Sequence, residues 1–147
     1  MDAAADHVVS TYGRLDILVN NAGIFSKNPI VREAARETLA ANVVGSVSVT
    51  EAFVPLLRKS SAPRLIFVSS SVGSISQAAD PKSPYFRPAG NEYRASKAAL
   101  NMYVVQYHNK LSVVLIWIAL TVPLIGKPSR VEAAWRDMLG VRGLPPW

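Results

Sequence analysis

The chain has 147 residues, half of them hydrophobic, and a formal net charge of +6. That hydrophobic share suffices to bury a core, which excludes a disordered tail and makes one folded domain the expectation. The positive charge is scattered, Arg58-Lys59 being among its densest pairs, and no zinc, RRM or helix-turn-helix signature accompanies it, so nucleic acid is not the expected partner. With no cysteine there is neither a disulfide framework nor a thiolate metal site. The opening "MDAAADHVV" is acidic and lacks the basic and apolar regions of a signal peptide, which predicts a soluble, cytoplasmic protein.

Residues 2–12 are rich in alanine and valine and read as a helix, with Gly13 as its terminator. "LDILVN" then rises as a short apolar run, predicting a buried strand over 15–20. From about 30 to 58 apolar residues such as Leu39, Val43 and Val47 recur at three- and four-residue steps, the pattern of a long helix. "RLIFVSSSVG" predicts a second buried strand over 64–69 that opens into serines and a glycine. Residues 74–91 carry Pro81, Pro84, Pro88 and Gly90 and read as a loop. "EYRASKAALNMYVVQYHNKL" reads as a helix over 92–111. The apolar run "VVLIWIALTVPLI" that follows is too short to span a bilayer and is broken by Pro123, so it predicts a third strand within 113–122 and no membrane segment. A last helix is expected over 129–139. The alternation of helix and strand predicts an α/β fold, a parallel sheet covered by helices in a partial Rossmann-like three-layer sandwich.

In such sheets reactive groups gather at the carboxyl ends of the strands, where Asn20-Asn21 and Ser69-Ser70-Ser71 both lie. On the helix that follows the loop, Tyr93 and Lys97 stand four residues apart and therefore share a face. Alone, that spacing describes an ordinary exposed helix pair. Beside a strand-end serine it describes something more, because an ammonium within about 4–6 Å favours a phenolate and brings the phenol towards the working range of an acid/base catalyst. The serine hydroxyl would hold the oxygen of a carbonyl or alcohol in place. His7 and His108 have no paired spacing, so neither a metal centre nor a serine-hydrolase triad is indicated.

Four segments in this order, "NNAG" at 20–23, Asn42 in "NVVG" followed by "TEAFVPLL", "VSSSVG" at 68–73 and "YRASK" at 93–97, resemble the motifs of the short-chain dehydrogenase/reductases. That resemblance implies a Rossmann-fold oxidoreductase that uses NADP or NAD to interconvert a ketone or aldehyde and an alcohol. It implies that Tyr93 is the general acid in reduction and the base in oxidation, that Lys97 lowers the phenol's pKa and binds the nicotinamide ribose, and that Ser70 holds the substrate oxygen. Asn42 would bind a water that relays protons between Lys97 and solvent. Asn21, Ala22 and Gly23 would lie along the cofactor, together with Tyr93 and Lys97.

The sequence departs from the family in three places. No pair of its glycines has the T-G-x-x-x-G-x-G spacing that would hold the cofactor's diphosphate before a helix. Residues 1–125 therefore read as a partial catalytic domain, truncated at its N-terminus, whose first strand keeps an open edge and predicts marginal stability or self-association. Leu124 stands where the family has glycine after Pro123, and 126–147 read as a divergent tail. The interval between Ser70 and Tyr93 is longer than usual, which places the extra residues in the loop 74–91. The alternative reading is a catalytically silent chain that acts as an interaction module; the missing glycine turn separates the two.

Overall fold

Strand formation is clearest in Arg64–Ser70 (β2), where Leu65, Phe67 and Ser69 alternate with Ile66 and Val68 between the two sheet faces. In the computed structural model, residues 2–86, 89–111 and 114–120 are described. Their order is α1 (Asp2–Tyr12), β1 (Ile17–Asn20), α2 (Val31–Leu39), a π-helical turn (Ala40–Gly45), α3 (Ser46–Leu57), β2, a 3-10 turn (Ser71–Gly73), α4 (Ile75–Ala79), α5 (Asn91–Lys110) and β3 (Val114–Leu120). The strands form one parallel sheet in the order β1-β2-β3, with Ile17 opposite Arg64 and Arg64 opposite Val114. The expected α/β architecture is therefore present, with each strand within a few residues of its expected span.

The core lies between one face of the sheet and two helices. Leu65 and Phe67 of β2 pack with Val54 and Leu57 of α3, Leu100, Val104 and Tyr107 of α5, and Leu111, with Leu15 and Leu18 at the margin. Phe67 and Tyr107 stack with ring centroids 5.9 Å apart. Away from this core, Ile17 and Val19 of β1 are 47% and 51% exposed, so the second face of the sheet is open at β1, and the edge of β1 remote from β2 pairs with no described strand.

Residues Val31–Leu57 run as one helix, but it is not uniform. By length and composition it could cross a membrane; its buried side nevertheless carries Thr38, Asn42, Ser46 and Thr50 as well as Val54 and Leu57. Hydroxyls at i+4 donate back to the main chain, Ser46 Oγ to the Asn42 carbonyl (2.9 Å) and Thr50 Oγ1 to the Ser46 carbonyl (2.8 Å). Such back-bonding loosens regular α pairing, and it coincides with the π turn centred on Asn42.

One expectation needs adjusting. The segment 74–91 is not wholly loop: Ser74 Oγ accepts from the Gln77 N–H and caps the short helix α4. Ser69, the last residue of the expected strand, lies in β2 and is buried, its hydroxyl donating to Asn101 Oδ1 and the Lys97 carbonyl of α5. The expected helix over 129–139, Pro123-Leu124 and the tail 126–147 lie outside the described residues, as do residues 113, 121 and 122 of the third strand's expected span.

Candidate active site

Lys97 is anchored before it does any chemistry. It sits in the first half of α5, only 3% exposed, and its Nζ donates to the Val68 carbonyl of β2 at 2.8 Å. One turn earlier on the same helix, Tyr93 places its ring so that Lys97 Nζ lies 5.5 Å from the centroid. Burial pushes the Tyr93 phenol above the ordinary tyrosine value and pulls Lys97 below the ordinary lysine value. Loss of solvation, and not the lysine, sets the direction of the phenol's shift, while the ammonium is engaged with the Val68 carbonyl.

Asn42 faces this pair from the π turn and is fully buried. Its Oδ1 accepts from the Ile24 N–H (2.7 Å), and its Nδ2 donates to the Ile24 carbonyl (2.9 Å) and to Ser96 Oγ (3.0 Å). Both amide hydrogens are therefore used. A relay water on Asn42 is left only the second lone pair of Oδ1 or the main-chain carbonyl, to which Ser46 already donates. Ser96 in turn donates to the Tyr93 carbonyl at 2.7 Å, so Asn42 clamps the β1 loop to the first turns of α5.

At the end of β2, Ser70 is buried and its Oγ accepts from the Val72 N–H rather than bonding to Tyr93. Its approach to α5 is set by Gly73. A Cβ at that position would stand 2.8 Å from the Lys97 carbonyl carbon and 2.9 Å from the Ala98 nitrogen, both backbone atoms that cannot step aside. Glycine is what lets the serine-bearing turn lie against the helix. Beyond it, the Tyr85 side chain reaches back to Ser71, whose Oγ donates to Tyr85 Oη at 3.2 Å.

Asn21, Ala22 and Gly23 form an exposed strip beyond the carboxyl end of β1. At Gly23 a Cβ would fall 3.2 Å from Asn42 Oδ1 and 3.6 Å from Lys97 Nζ, so the missing side chain leaves room directly beside the ammonium. Lys97, with one bond made to Val68 and donors to spare, suits hydroxyl groups placed in that room. This fits the ribose end of a dinucleotide. The structure thus brings Gly23, Asn42, Tyr93 and Lys97 together, sets Ser70 on the neighbouring turn, and leaves Asn21 and Ala22 at the open rim.

Ser46, Thr50 and Ser96, which the sequence did not single out, join Asn20, Asn42 and Tyr93 in a second set. Asn20 Nδ2 donates to Thr50 Oγ1 (2.9 Å), and the Thr50–Ser46–Asn42–Ser96–Tyr93 bonds continue that ladder from β1 to α5. The spacing of Asn42, Ser46 and Thr50 at four-residue intervals is its only trace in the sequence. Phe25 was not singled out either: its ring centroid is 5.8 Å from that of Tyr93, tilted by 42°.

A family model described as short chain dehydrogenase matches residues 1–138. The short-chain dehydrogenase/reductase tropE of Talaromyces stipitatus is 38% identical over 124 residues, which cover 76% of this chain and 47% of that protein. Salutaridine reductase of Papaver bracteatum is 35% identical over 51% of the chain and 35% of its own length. Among solved structures, salutaridine reductase from Papaver somniferum superposes with a TM-score of 0.67 at 25% identity, covering 81% of this chain and 63% of that one. A short-chain dehydrogenase from Shigella flexneri complexed with NADP gives 0.61 at 28% identity, covering 90% and 52%. The chain spans about half the length, or less, of the curated relatives it matches.

Proposed function

We propose, since the chain belongs to the short-chain dehydrogenase/reductase family, that it interconverts a ketone or aldehyde and an alcohol with a nicotinamide cofactor. A cofactor of this kind supplies or accepts the hydride when bound. The observation that carries the reading is the placing of a half-buried tyrosine and a buried ammonium on one face of α5, the Lys97 Nζ 5.5 Å from the Tyr93 ring centroid, at the carboxyl end of the sheet.

Tyr93 moves the proton. Its raised pKa keeps the phenol protonated through the neutral range, which suits donation to a carbonyl oxygen in reduction. In the opposite direction the phenolate is needed, so oxidation gains from high pH. Ser70 orients the substrate oxygen once its hydroxyl turns from Val72. Lys97 holds the ribose hydroxyls and supplies positive charge to the phenolate as it forms. Asn42 keeps the Ile24 loop and α5 in register, and Asn21, Ala22 and Gly23 line the cofactor's path. Residues 1–125 constitute the catalytic part on this reading. The open edge of β1, with Ile17 and Val19 exposed beside it, supports self-association, which light scattering across a concentration series measures; a monomer at every concentration would remove it.

Two measurements test the activity. Titration of the chain with NADPH and NADH, followed by fluorescence, should saturate with one of them; no binding by either would favour the silent interaction module. With cofactor and a panel of ketones, Tyr93→Phe should lower turnover at least about a hundredfold without moving the unfolding midpoint, and undiminished turnover would remove Tyr93 as the acid.

A further inference from the structure

We propose that Phe25 forms a wall of the substrate site and selects carbonyl compounds that carry a flat aromatic ring beside the carbonyl. The inference rests on the reading of Tyr93 as the proton donor, because it is the position of Phe25 relative to that phenol that gives the ring a task.

Phe25 is 58% exposed, yet the backbone around it is fixed on both sides. Before it, both main-chain groups of Ile24 are held by the Asn42 amide. After it, the Ser26 N–H donates to Thr38 Oγ1 (3.4 Å) and Ser26 Oγ to Glu37 Oε2. Asn28 Nδ2 also donates to Glu37, at 2.9 Å. These bonds hold the Glu37 carboxyl below its ordinary value, the Ser26 hydroxyl first and Asn28 second. A ring on such a loop loses little freedom when something stacks against it.

Its seat is equally specific. Phe25 lies over Gly90, the left-handed residue (φ 91°) that precedes α5. A Cβ at Gly90 would come within 2.6 Å of Phe25 Cε2, so the ring occupies space that any other residue would fill. From that seat the ring sits 5.8 Å, centroid to centroid, from Tyr93, an aromatic pairing distance at which both rings can border one bound molecule. A carbonyl oxygen accepting from the Tyr93 phenol would carry its nearest substituent within reach of Phe25. An aromatic substituent gains an edge or offset contact there that a straight alkyl chain of similar size does not.

The full chain, alone and with NADPH, is titrated with acetylnaphthalene and with octanone, with affinity read by calorimetry and the Phe25 and Tyr93 signals followed by NMR. Acetylnaphthalene should bind more tightly, and Phe25→Ala should weaken it by about three- to tenfold, the range one aromatic pair supplies, while weakening octanone markedly less and leaving the urea midpoint unchanged. Phe25→Tyr should retain the preference. Equal weakening of both ketones, or no saturable binding of acetylnaphthalene to the unmodified chain, would overturn the proposal. The acid/base reading fails separately, through turnover that ignores Tyr93→Phe, while the selectivity assigned to Phe25 is read from binding alone.

Discussion

The two halves of α5 are built on different physics. From its middle onwards this helix buries Leu100, Val104 and Tyr107 against Phe67, Leu65 and α3, where fit is non-directional and follows from apolar area removed from water. Its first half is placed by directional bonds, Ser96 to Asn42 and to the Tyr93 carbonyl, Lys97 to Val68, and by the glycine contact at Gly73. One half supplies the free energy that keeps the helix on the sheet. The other spends part of it on burying a lysine and a phenol, and so fixes where they stand.

The sharpest way to break this contrast is in the apolar half. Phe67→Ala should cost about 3–5 kcal/mol, as large-to-small core changes do, read from urea unfolding; a loss below about 1 kcal/mol would mean that the core is held elsewhere. In the polar half, Asn42→Ala should cost less, about 1–2 kcal/mol, because the freed Ile24 groups lie in an exposed loop and can turn to water. It should also raise amide hydrogen exchange at Ile24 and Ser26, and unchanged protection would show that the clamp is not what orders the loop.

A smaller effect tests the border between the halves. Tyr107 Oη donates to Glu51 Oε1 at 2.7 Å, and burial, followed by that carboxylate, raises its pKa well above the ordinary tyrosine value. Because the folded pKa is raised, its contribution to stability is present below about pH 10 and is lost as pH climbs towards the folded value. Tyr107→Phe should cost about 1 kcal/mol at neutral pH and flatten the alkaline fall in stability. A variant that keeps the same alkaline slope would move that titration to another group, such as Tyr93, whose pKa burial also raises. At the site itself, the raised Tyr93 pKa predicts that the reduction rate holds steady up to about pH 10, whereas oxidation climbs; a reduction rate falling from neutral pH would contradict the protonation state assigned to the phenol.

Much of the architecture was legible in the sequence because it is local. The apolar runs "LDILVN" and "RLIFV", the glycine that ends α1 and the periodic positions of the long helix each report on the residues' own neighbourhood. The i, i+4 spacing of Tyr93 and Lys97 and the serines at the end of β2 also report locally, and the resemblance of four short motifs to the family named the candidate site residue by residue. Three things could not be read this way. Ser69 could be placed on a strand, but its bond to Asn101 could not be read, because the register that turns it towards α5 is a property of the packed sheet. The opposite shifts of Tyr93 and Lys97 depend on how much solvent each loses, and the sequence does not state burial. Asn42 could be picked out, but its bonds to residues 18 and 54 positions away could not.

By itself, then, the sequence determined the order of elements, the α/β class and the identities of the candidate acid, lysine and serine, because propensity, periodicity and motif spacing are carried by neighbours along the chain. Only the tertiary structure decided that Asn42 is a clamp, that Gly73 brings the serine turn onto α5, and that Phe25 stands beside Tyr93. Each of these is a contact between segments distant in sequence, and such contacts exist only once the chain has packed.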